Sequence, residues 1–462
     1  MKAKYDELYK QLVESYYHGD FEQTLSNLLE NEFSSKEEAK EILSTLCGVD
    51  NPHTTDDFIF TKQVIESIVR NRVRQKVVQK VQNCSEDCET VDGKSKCQSV
   101  CPFDAIVKNL MTDDKAIDPD LCMSCGKCVS VCDKGNYLDT KEFLPLAGLL
   151  GGKDKVVAIV APAIAGQFGE GVSLDQLREA FIKIGFTDMV EVAMAADVLS
   201  FKEATEFNEH IMHSKNNADS QDSPIHSDIT ISSCCCPIWV AMLRKVYYEF
   251  IDNVTPSVSP MVAMGRILKA LNPEVKVVFI GPCIAKKAEA KETDICDAVD
   301  FVLTFQEVSA MFEVAKVNPS KLQGVPSVDY AATGGRLYAR AGGVSEAVYD
   351  VVHQLYPESR KHFKSVQASG VPDCKKLLDQ LRNHEIKATF VEGMGCPGGC
   401  VGGPKRNVDI EVGKEAVNQE AYSSAIKVPV NSEILMSLLR QIGVKDLNSL
   451  NDVHSMFERD FH

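Results

Sequence analysis

Eight of the 17 cysteines in this chain crowd between Cys84 and Cys132, where the connecting segments are short, polar and glycine-containing. Such a stretch cannot assemble an apolar core of ordinary size, so an inorganic centre is expected to hold it together. Disulfides are the other common use of many cysteines. Here the cysteine total is odd, 462 residues suffice to fold without staples, and the opening MKAKYDELYKQLVESYY is charged and amphipathic with no apolar signal segment. The expected compartment is therefore the reducing cytoplasm, where cysteines in this number ligate metal or carry out redox chemistry. A formal charge of -16, from 66 acidic against 50 basic residues, repels phosphate backbones and anionic lipid. The longest apolar run, 156–166, is broken by Pro162 and too short to span a bilayer. Neither nucleic acid nor membrane is an expected partner.

The texture of the chain changes twice, which fits about three domains at this length. Residues 1–80 read as a helical N-terminal region: Leu8, Leu12 and Tyr16 repeat at helical spacing, as do Leu25, Leu28 and Leu29, then Val64, Ile65, Ile68 and Val69. Ser34, Ser35, Lys36 and Glu37 form a capped helix start, and the lone Cys47 is a small buried hydrophobe rather than a ligand. Residues 81–150 hold the cysteine-rich module. From 151 to 462 the pattern is α/β, with strand-like apolar runs at 156–160, 189–192, 229–232, 275–280, 301–303 and 388–391 and helical stretches such as 174–184 and 238–251. Near-continuous apolar strands predict parallel sheets covered on both faces. The polar stretch 212–227 reads as a solvated loop, and no internal repeat appears.

The spacing Cys122-x2-Cys125-x2-Cys128-x3-Cys132 is highly specific. Three thiolates so spaced wrap one face of a 4Fe–4S cube, while the fourth points to another cluster. Upstream, Cys84-x3-Cys88-x8-Cys97-x3-Cys101-Pro102 supplies a second, stretched set. The Cys101–Pro102 step matches the ferredoxin ending, in which the cysteine before proline crosses to the partner cluster. One cluster is accordingly assigned to Cys101, Cys122, Cys125 and Cys128, the other to Cys84, Cys88, Cys97 and Cys132. Paired zinc sites are the plainer alternative, but one tetrahedral ion has no use for the crossed x2, x2, x3 arrangement. A two-cluster module ahead of an α/β domain is an electron conduit.

Three further segments each follow a predicted strand: Ser233-Cys234-Cys235-Cys236-Pro237-Ile238-Trp239, then Gly281-Pro282-Cys283-Ile284-Ala285-Lys286-Lys287-Ala288-Glu289, then Glu392-Gly393-Met394-Gly395-Cys396-Pro397-Gly398-Gly399-Cys400 running on to Gly403. Ligands in parallel α/β folds gather at the carboxyl ends of strands. Pro237 suits the first turn of a helix, whose free amides would favour an anionic cluster. The glycines between Gly393 and Gly403 remove side chains where backbone would approach a bulky metal centre.

In order, these segments resemble the three signature motifs of the FeFe-hydrogenases, and with the ferredoxin-like module the resemblance covers roughly two thirds of the chain. It implies an α/β catalytic domain of two lobes with parallel sheets, preceded by a ferredoxin-like α+β module and the helical region. It also implies reversible reduction of protons to H2. Carried over by position, Cys236, Cys283, Cys396 and Cys400 would hold the 4Fe–4S cubane of an H-cluster, with Cys400 bridging to a di-iron subsite bearing CO, cyanide and azadithiolate ligands. Cys235 would be the first proton relay, a job that suits a thiol. Lys286 would donate to a cyanide and Met394 would wall the subsite. Glu203, Glu206 and Thr255 fall on the family's proton route, and Glu289 would fix local geometry. Taken alone, the two glutamates would more often be a solvated helix face and Lys286 with Lys287 surface charge. Cys296 and Cys374 match no motif and are expected to be structural.

Several positions depart from the pattern. Gly281 stands where methionine is usual, opening space at the subsite; Met261 replaces a frequent glutamine, Cys234 and Ser233 stand for serine and threonine, and Pro404 interrupts the glycine run. The implied partners are ferredoxin or flavodoxin, which Arg70, Arg72, Arg74, Lys76 and Lys80 could dock, and hydrogenase maturation proteins. Two other readings stand beside catalysis: a hydrogenase-like iron–sulfur assembly protein without the di-iron subsite, and a slow H2 sensor.

Overall fold

In a computed structural model of the chain, residues 2–33, 35–84, 88, 93–109, 114–216, 229–232, 235–327, 331–444, 450 and 454–461 are described. The apolar repeats at the start form four helices, α1 (Lys2–His18), α2 (Phe21–Asn31), α3 (Lys36–Cys47) and α4 (Asp57–Val69). Ser35 caps α3, accepting the Glu38 amide at 3.4 Å; Ser34 lies outside the described residues. Cys47 is fully buried, as a small hydrophobe should be. These helices do not close a core among themselves. Leu12, Leu25, Leu43 and Phe60 join Phe143, Phe181, Leu303 and Phe305 in one apolar cluster.

In the cysteine-rich stretch, β1 (Val78–Lys80) pairs antiparallel with β4 (Tyr137–Asp139), and β2 (Ile106–Lys108) with β3 (Lys115–Ile117). The one-turn helices α5 (Lys96–Ser99) and α6 (Lys127–Val131) carry Cys97 and Cys128. A further short helix, α7 (Phe143–Ala147), leads onward.

Two parallel sheets follow. The larger runs β6-β5-β8-β9, from β5 (Val156–Val160), β6 (Asp188–Glu191), β8 (Lys276–Gly281) and β9 (Phe301–Thr304). The smaller runs β10-β11-β7, from β7 (Thr230–Ile231), β10 (Ser365–Ser369) and β11 (Phe390–Met394). Alternate residues of the large sheet feed different cores, because successive side chains point to opposite faces. Val156, Ala158, Val160, Val278 and Ile280 face the N-terminal helices' cluster, whereas Ile159, Val277, Phe279 and Val302 face a second one. That second cluster is built with α9 (Ala193–Asn216) and α11 (Pro260–Leu271). Both faces are covered, which is why these strands read as unbroken apolar runs. The connecting elements include α8 (Leu174–Lys183), α10 (Pro237–Lys245) and α12 (Ala285–Glu289).

Two local expectations change, and one strand appears that was not expected. The helix expected over 238–251 stops at Lys245, where the amides of Val246 and Tyr247 both turn back to the Met242 carbonyl (2.9 and 3.0 Å). Tyr247 is held out of helical register by donating to Asp379 at 3.1 Å. The expected loop over 212–227 begins as helix, since α9 continues to Asn216; 217–227 lie outside the described residues. Strand β10 is half-exposed at the sheet edge, so Ser365-Val366-Gln367-Ala368-Ser369 carries too little apolar pattern to be read as a strand. Among the described residues, no helix is long and apolar enough to cross a membrane.

Candidate functional site

The three signature segments emerge from the carboxyl ends of β7, β8 and β11. Cys236 is the N-cap of α10, with Pro237 in its first turn, and its Sγ accepts the Gly395 amide at 3.2 Å. Cys236 thus touches the β11 loop that carries Cys396 and Cys400. Since β7 and β11 share the small sheet and β8 belongs to the large one, Cys283 reaches the group from the other lobe. Burial, and then the charge of neighbouring cysteines, pushes the Cys283 and Cys400 thiols up to about 12 and Cys396 well above the usual thiol range. Each of the three feels Cys236, and Cys396 also feels Cys283 and Cys400. Buried thiols that repel one another ionise only beside a cation, so this donor set fits an iron centre whose loading releases protons. No three described His, Cys, Asp or Glu side chains converge closely enough to ligate a single ion; a cube takes its four thiolates at separate corners.

The four cysteines expected to hold the inner cluster also come together. Cys101, Cys122, Cys125 and Cys128 line one cavity of about 330 Å³ together with Phe103 and Ile106. Backbone amides face it, from Ala105 to Cys101 Sγ at 3.2 Å and from Ser124 to Cys122 Sγ at 3.5 Å, and such donors favour thiolate. Of the outer quartet, Cys132 Sγ accepts the Asn136 amide at 3.3 Å, and Cys97 lies 3.7 Å from the Tyr137 hydroxyl. Burial, then Cys97 and, more weakly, Cys84, raise the Tyr137 hydroxyl, while Lys96 is raised chiefly by Asp133 at 2.7 Å and only then by Cys88 and Cys132. Residues 85–87 and 89–92 lie outside the described residues.

The loops that carry Cys125 and Cys283 abut through Gly126. Its φ is +72°, and a Cβ there would meet Ile284 Cδ1 at 2.3 Å. Ile284 adjoins Cys283 and is buried in the relay module's own core. Gly126→Val is therefore expected to cost about 2–3 kcal/mol in strain and overpacking, read from the denaturant midpoint. A midpoint equal to that of the unaltered chain would mean the contact is slack.

Beside the quartet lies a set of buried polar groups. Lys286 and Glu289 pair at 2.6 Å, both almost inaccessible. Burial works against the Lys286 charge, Glu289, Cys283 and Cys235 work for it, and the net shift is upward. Cys235, half-buried, packs in the same cluster as Met394 and Met261. On α9, Glu203 is fully buried rather than solvated; its Oε1 accepts from Ser232 Oγ at 3.0 Å and Thr255 Oγ1 at 2.9 Å. The Thr255 amide bonds the Ile231 carbonyl at 2.9 Å, which fixes that hydroxyl beside the end of β7. Glu206, one turn along, pairs with Lys202, and burial pushes its carboxyl up to about 7. A cavity of about 370 Å³ leads from Cys235 and Cys236 past Ser257, Ser259 and Glu289 to Arg459.

Sequence reasoning missed Ser232, Lys202 and Glu458 here. Ser232 and Lys202 each sit one residue from a recognised position, whereas nothing in the sequence marks Glu458. Ser233 and Cys234 lie outside the described residues. The glycines from Gly393 to Gly403 also serve the packing of protein on protein. A Cβ at Gly393 would strike the Trp239 ring at 2.1 Å and one at Gly403 the Pro282 carbonyl at 2.7 Å, so they let the signature loops pack on one another. Gly281 opens no space, because Phe279 fills it, 2.7 Å from where a Cβ would stand. The basic strip shrinks: Arg74 is buried against Glu41 (2.7 Å) and Lys80 pairs with Asp114, while Arg70, paired with Glu66 (2.6 Å), stays exposed with Arg72 and Lys76. Cys374 is buried as expected; Cys296 is exposed and stabilises no core.

Residues 154–404 match the family described as iron only hydrogenase large subunit, C-terminal domain, and residues 115–135 match the 4Fe-4S binding domain. The chain is 24% identical over 347 residues to the NADP-reducing hydrogenase subunit HndD of Solidesulfovibrio fructosivorans, covering 64% of this chain but only 58% of that protein. It is 24% identical over 460 residues to iron hydrogenase 1 of Clostridium pasteurianum, with 76% and 78% covered. The cytosolic iron-sulfur assembly component 3 of Rattus norvegicus is also 24% identical, over 360 residues, with 64% and 73% covered. Among solved structures, a variant of the FeFe-hydrogenase HydA1 of Chlamydomonas reinhardtii superposes with a TM-score of 0.58 at 20% identity, covering 69% of this chain and 98% of that one. At that identity the likeness is one of fold.

Proposed function

The chain belongs to the iron-only hydrogenase family, whose domain model it matches over residues 154–404, and from that premise we propose that it catalyses the reversible reduction of two protons by two electrons to H2. In this reading residues 81–150 are an electron conduit with two 4Fe–4S clusters, held by Cys84, Cys88, Cys97 and Cys132 and by Cys101, Cys122, Cys125 and Cys128. Residues 151–462 form the catalytic domain, where Cys236, Cys283, Cys396 and Cys400 hold the cubane of an H-cluster and Cys400 links it to a di-iron subsite. When bound, that group would pass on electrons received through the conduit and supply the metal centre for proton reduction.

The chain's own residues do the rest. Cys235 delivers and removes protons at the site, a reversible transfer that a thiol can perform near neutral pH. Lys286, kept charged by Glu289 at 2.6 Å, presents an ammonium to an anionic ligand. Met394 and Met261 keep the surroundings apolar. Glu203, Thr255 and Glu206 continue the proton route outward. Ferredoxin or flavodoxin would supply electrons, and maturation proteins would install the subsite.

The observation that carries this reading is Glu203, a fully buried carboxylate gripped by two hydroxyls at 2.9 and 3.0 Å beside the Cys235 segment. Burying a carboxylate is costly, and a place on a proton route beside the Cys235 segment supplies a reason to keep one there. The test is hydrogen evolution from reduced methyl viologen after maturation, with infrared bands of iron-bound CO and cyanide recorded on the same sample. Cys235→Ser is expected to lower turnover by about 10²–10⁴-fold with the bands intact. Matured protein with neither bands nor hydrogen would favour the assembly reading instead.

A further inference from the structure

Two cavities lie side by side where the cysteine-rich module meets the α/β domain, and among the described residues Met123 alone lines both. The first, which opens from Cys235 and Cys236, is polar, with Ser259, Glu289, Glu292, Arg244 and Arg459 on its wall. Ser259 Oγ and Arg459 Nε are buried with no protein partner among the described residues, and water is what satisfies such groups. The second is lined by Cys101, Cys122, Cys125 and Cys128, and Val78, Phe103, Ala105 and Ile106 make much of its remaining wall apolar. Met123 stands between them. It packs with Cys125, Cys236 and Cys283 on one apolar cluster, which takes Phe103 from the second cavity and Phe461 from the first. The α/β domain pins the module beside it: Lys245, at the end of α10, donates to the Asp120 carbonyl at 2.6 Å, and Lys375 donates to the Pro102 carbonyl at 2.9 Å.

We propose that Met123 is the partition between a wet cavity that serves protons and a dry one that holds the inner iron–sulfur cube, and that it thereby sets the cube's readiness to take an electron. A cube gains one negative charge on reduction, and water stabilises the greater charge, so solvent reaching the cube raises its reduction potential. A thioether suits the position, because it is flexible enough to fill an irregular gap and offers water only a weak partner. Protons and electrons then approach the Cys236 and Cys283 loops by adjoining routes, and water does not follow the electrons. That the second cavity takes a cube rests on the function proposed above; the shared wall does not.

The test uses the full chain carrying its cubes, made without maturation proteins and transferred into heavy water under argon. Pulsed electron paramagnetic resonance of the reduced inner cube, identified as the signal altered in Cys101→Ser, reads deuterium close to the cluster. In the unaltered chain that coupling should be weak. Met123→Ala should strengthen it and raise the midpoint potential of the same signal, shifting the reduction equilibrium about tenfold, or about 59 mV for one electron. Met123→Leu, which keeps nearly the same apolar volume, should leave both unchanged. Met123→Val should fall between them, and it decides the question should Met123→Ala fail to hold its iron. Stronger coupling in the alanine or valine variant, with the leucine variant unchanged, supports the partition. Strong coupling already in the unaltered chain overturns it, and so does unchanged coupling in both smaller variants or an equal rise with leucine. An unaltered chain in which no cube signal responds to Cys101→Ser overturns the cluster reading itself, and the partition's electronic role falls with it.

Discussion

Cys283→Ser is expected to abolish hydrogen evolution, by at least about 10³-fold, while both relay clusters stay in place. Three sulfurs of the proposed quartet, Cys236, Cys396 and Cys400, follow strands of the small sheet, and of the four Cys283 alone follows a strand of the large one. In the proposed function, removing it would take away a corner of the cube and the one proposed ligand that follows a strand of the larger sheet. A serine oxygen is a harder donor than thiolate and a poor substitute for iron in a sulfur cube. Iron content should fall by the four atoms of one cube, and the electron paramagnetic resonance of the relay clusters should persist, because their sulfurs lie on separate loops. Retention of a third cube signal together with more than a tenth of the activity would remove Cys283 from the quartet.

The second large effect is expected from Lys287→Met, which touches no cluster ligand. Lys287 and Glu307 are both wholly inaccessible and pair at 2.7 Å, and Lys287 also donates to the Thr140 carbonyl at 2.7 Å. Glu307 receives the Glu142 amide at 2.8 Å, and Glu142 in turn pairs with Lys291 at 2.8 Å. This network ties the end of the relay module to the large sheet. Losing the cation leaves a buried carboxylate uncompensated, which should cost about 3–5 kcal/mol, read from denaturant unfolding. The pH dependence gives an independent check. In the unaltered chain burial raises the Glu307 pKa, Lys287 and Lys141 lower it, and the net shift is downward. The pair's contribution is therefore complete above the unfolded value, about pH 4.3, and is lost as pH falls through the lower folded value. In Lys287→Met burial dominates, the carboxyl becomes hard to ionise, and the variant should instead lose stability as pH rises. A double variant, Lys287→Met with Glu307→Leu, should recover most of the loss. An unchanged midpoint in the single variant would show that Lys141 already satisfies Glu307.

Neither Lys287 nor Glu307 could have been singled out in advance. Lys287 reads as surface charge beside Lys286, and its burial follows only from α12 packing under the relay module. The same limit applies to Arg74, Arg70 and Lys80, which looked like a docking strip until their acidic neighbours Glu41, Glu66 and Asp114 were in place. Glu41 and Asp114 are remote in sequence. Ion pairing across such separations leaves no local trace in a chain.

What the amino-acid order determined by itself was the part of this protein whose cause is local: thiols at cluster spacing, helices with apolar stripes, strands whose unbroken apolar runs announced a sheet covered on both faces, and loops ending those strands with cysteine. Spacing along the backbone fixes which atoms can reach one centre, so the residues alone carry it. Tertiary structure decided which lobe contributes Cys283, how Gly126 lets two cysteine-bearing loops abut, and that Glu458 of the C-terminal segment pairs with Lys202 of α9. Those outcomes depend on burial and on charges meeting through space, and both are set only when distant segments pack.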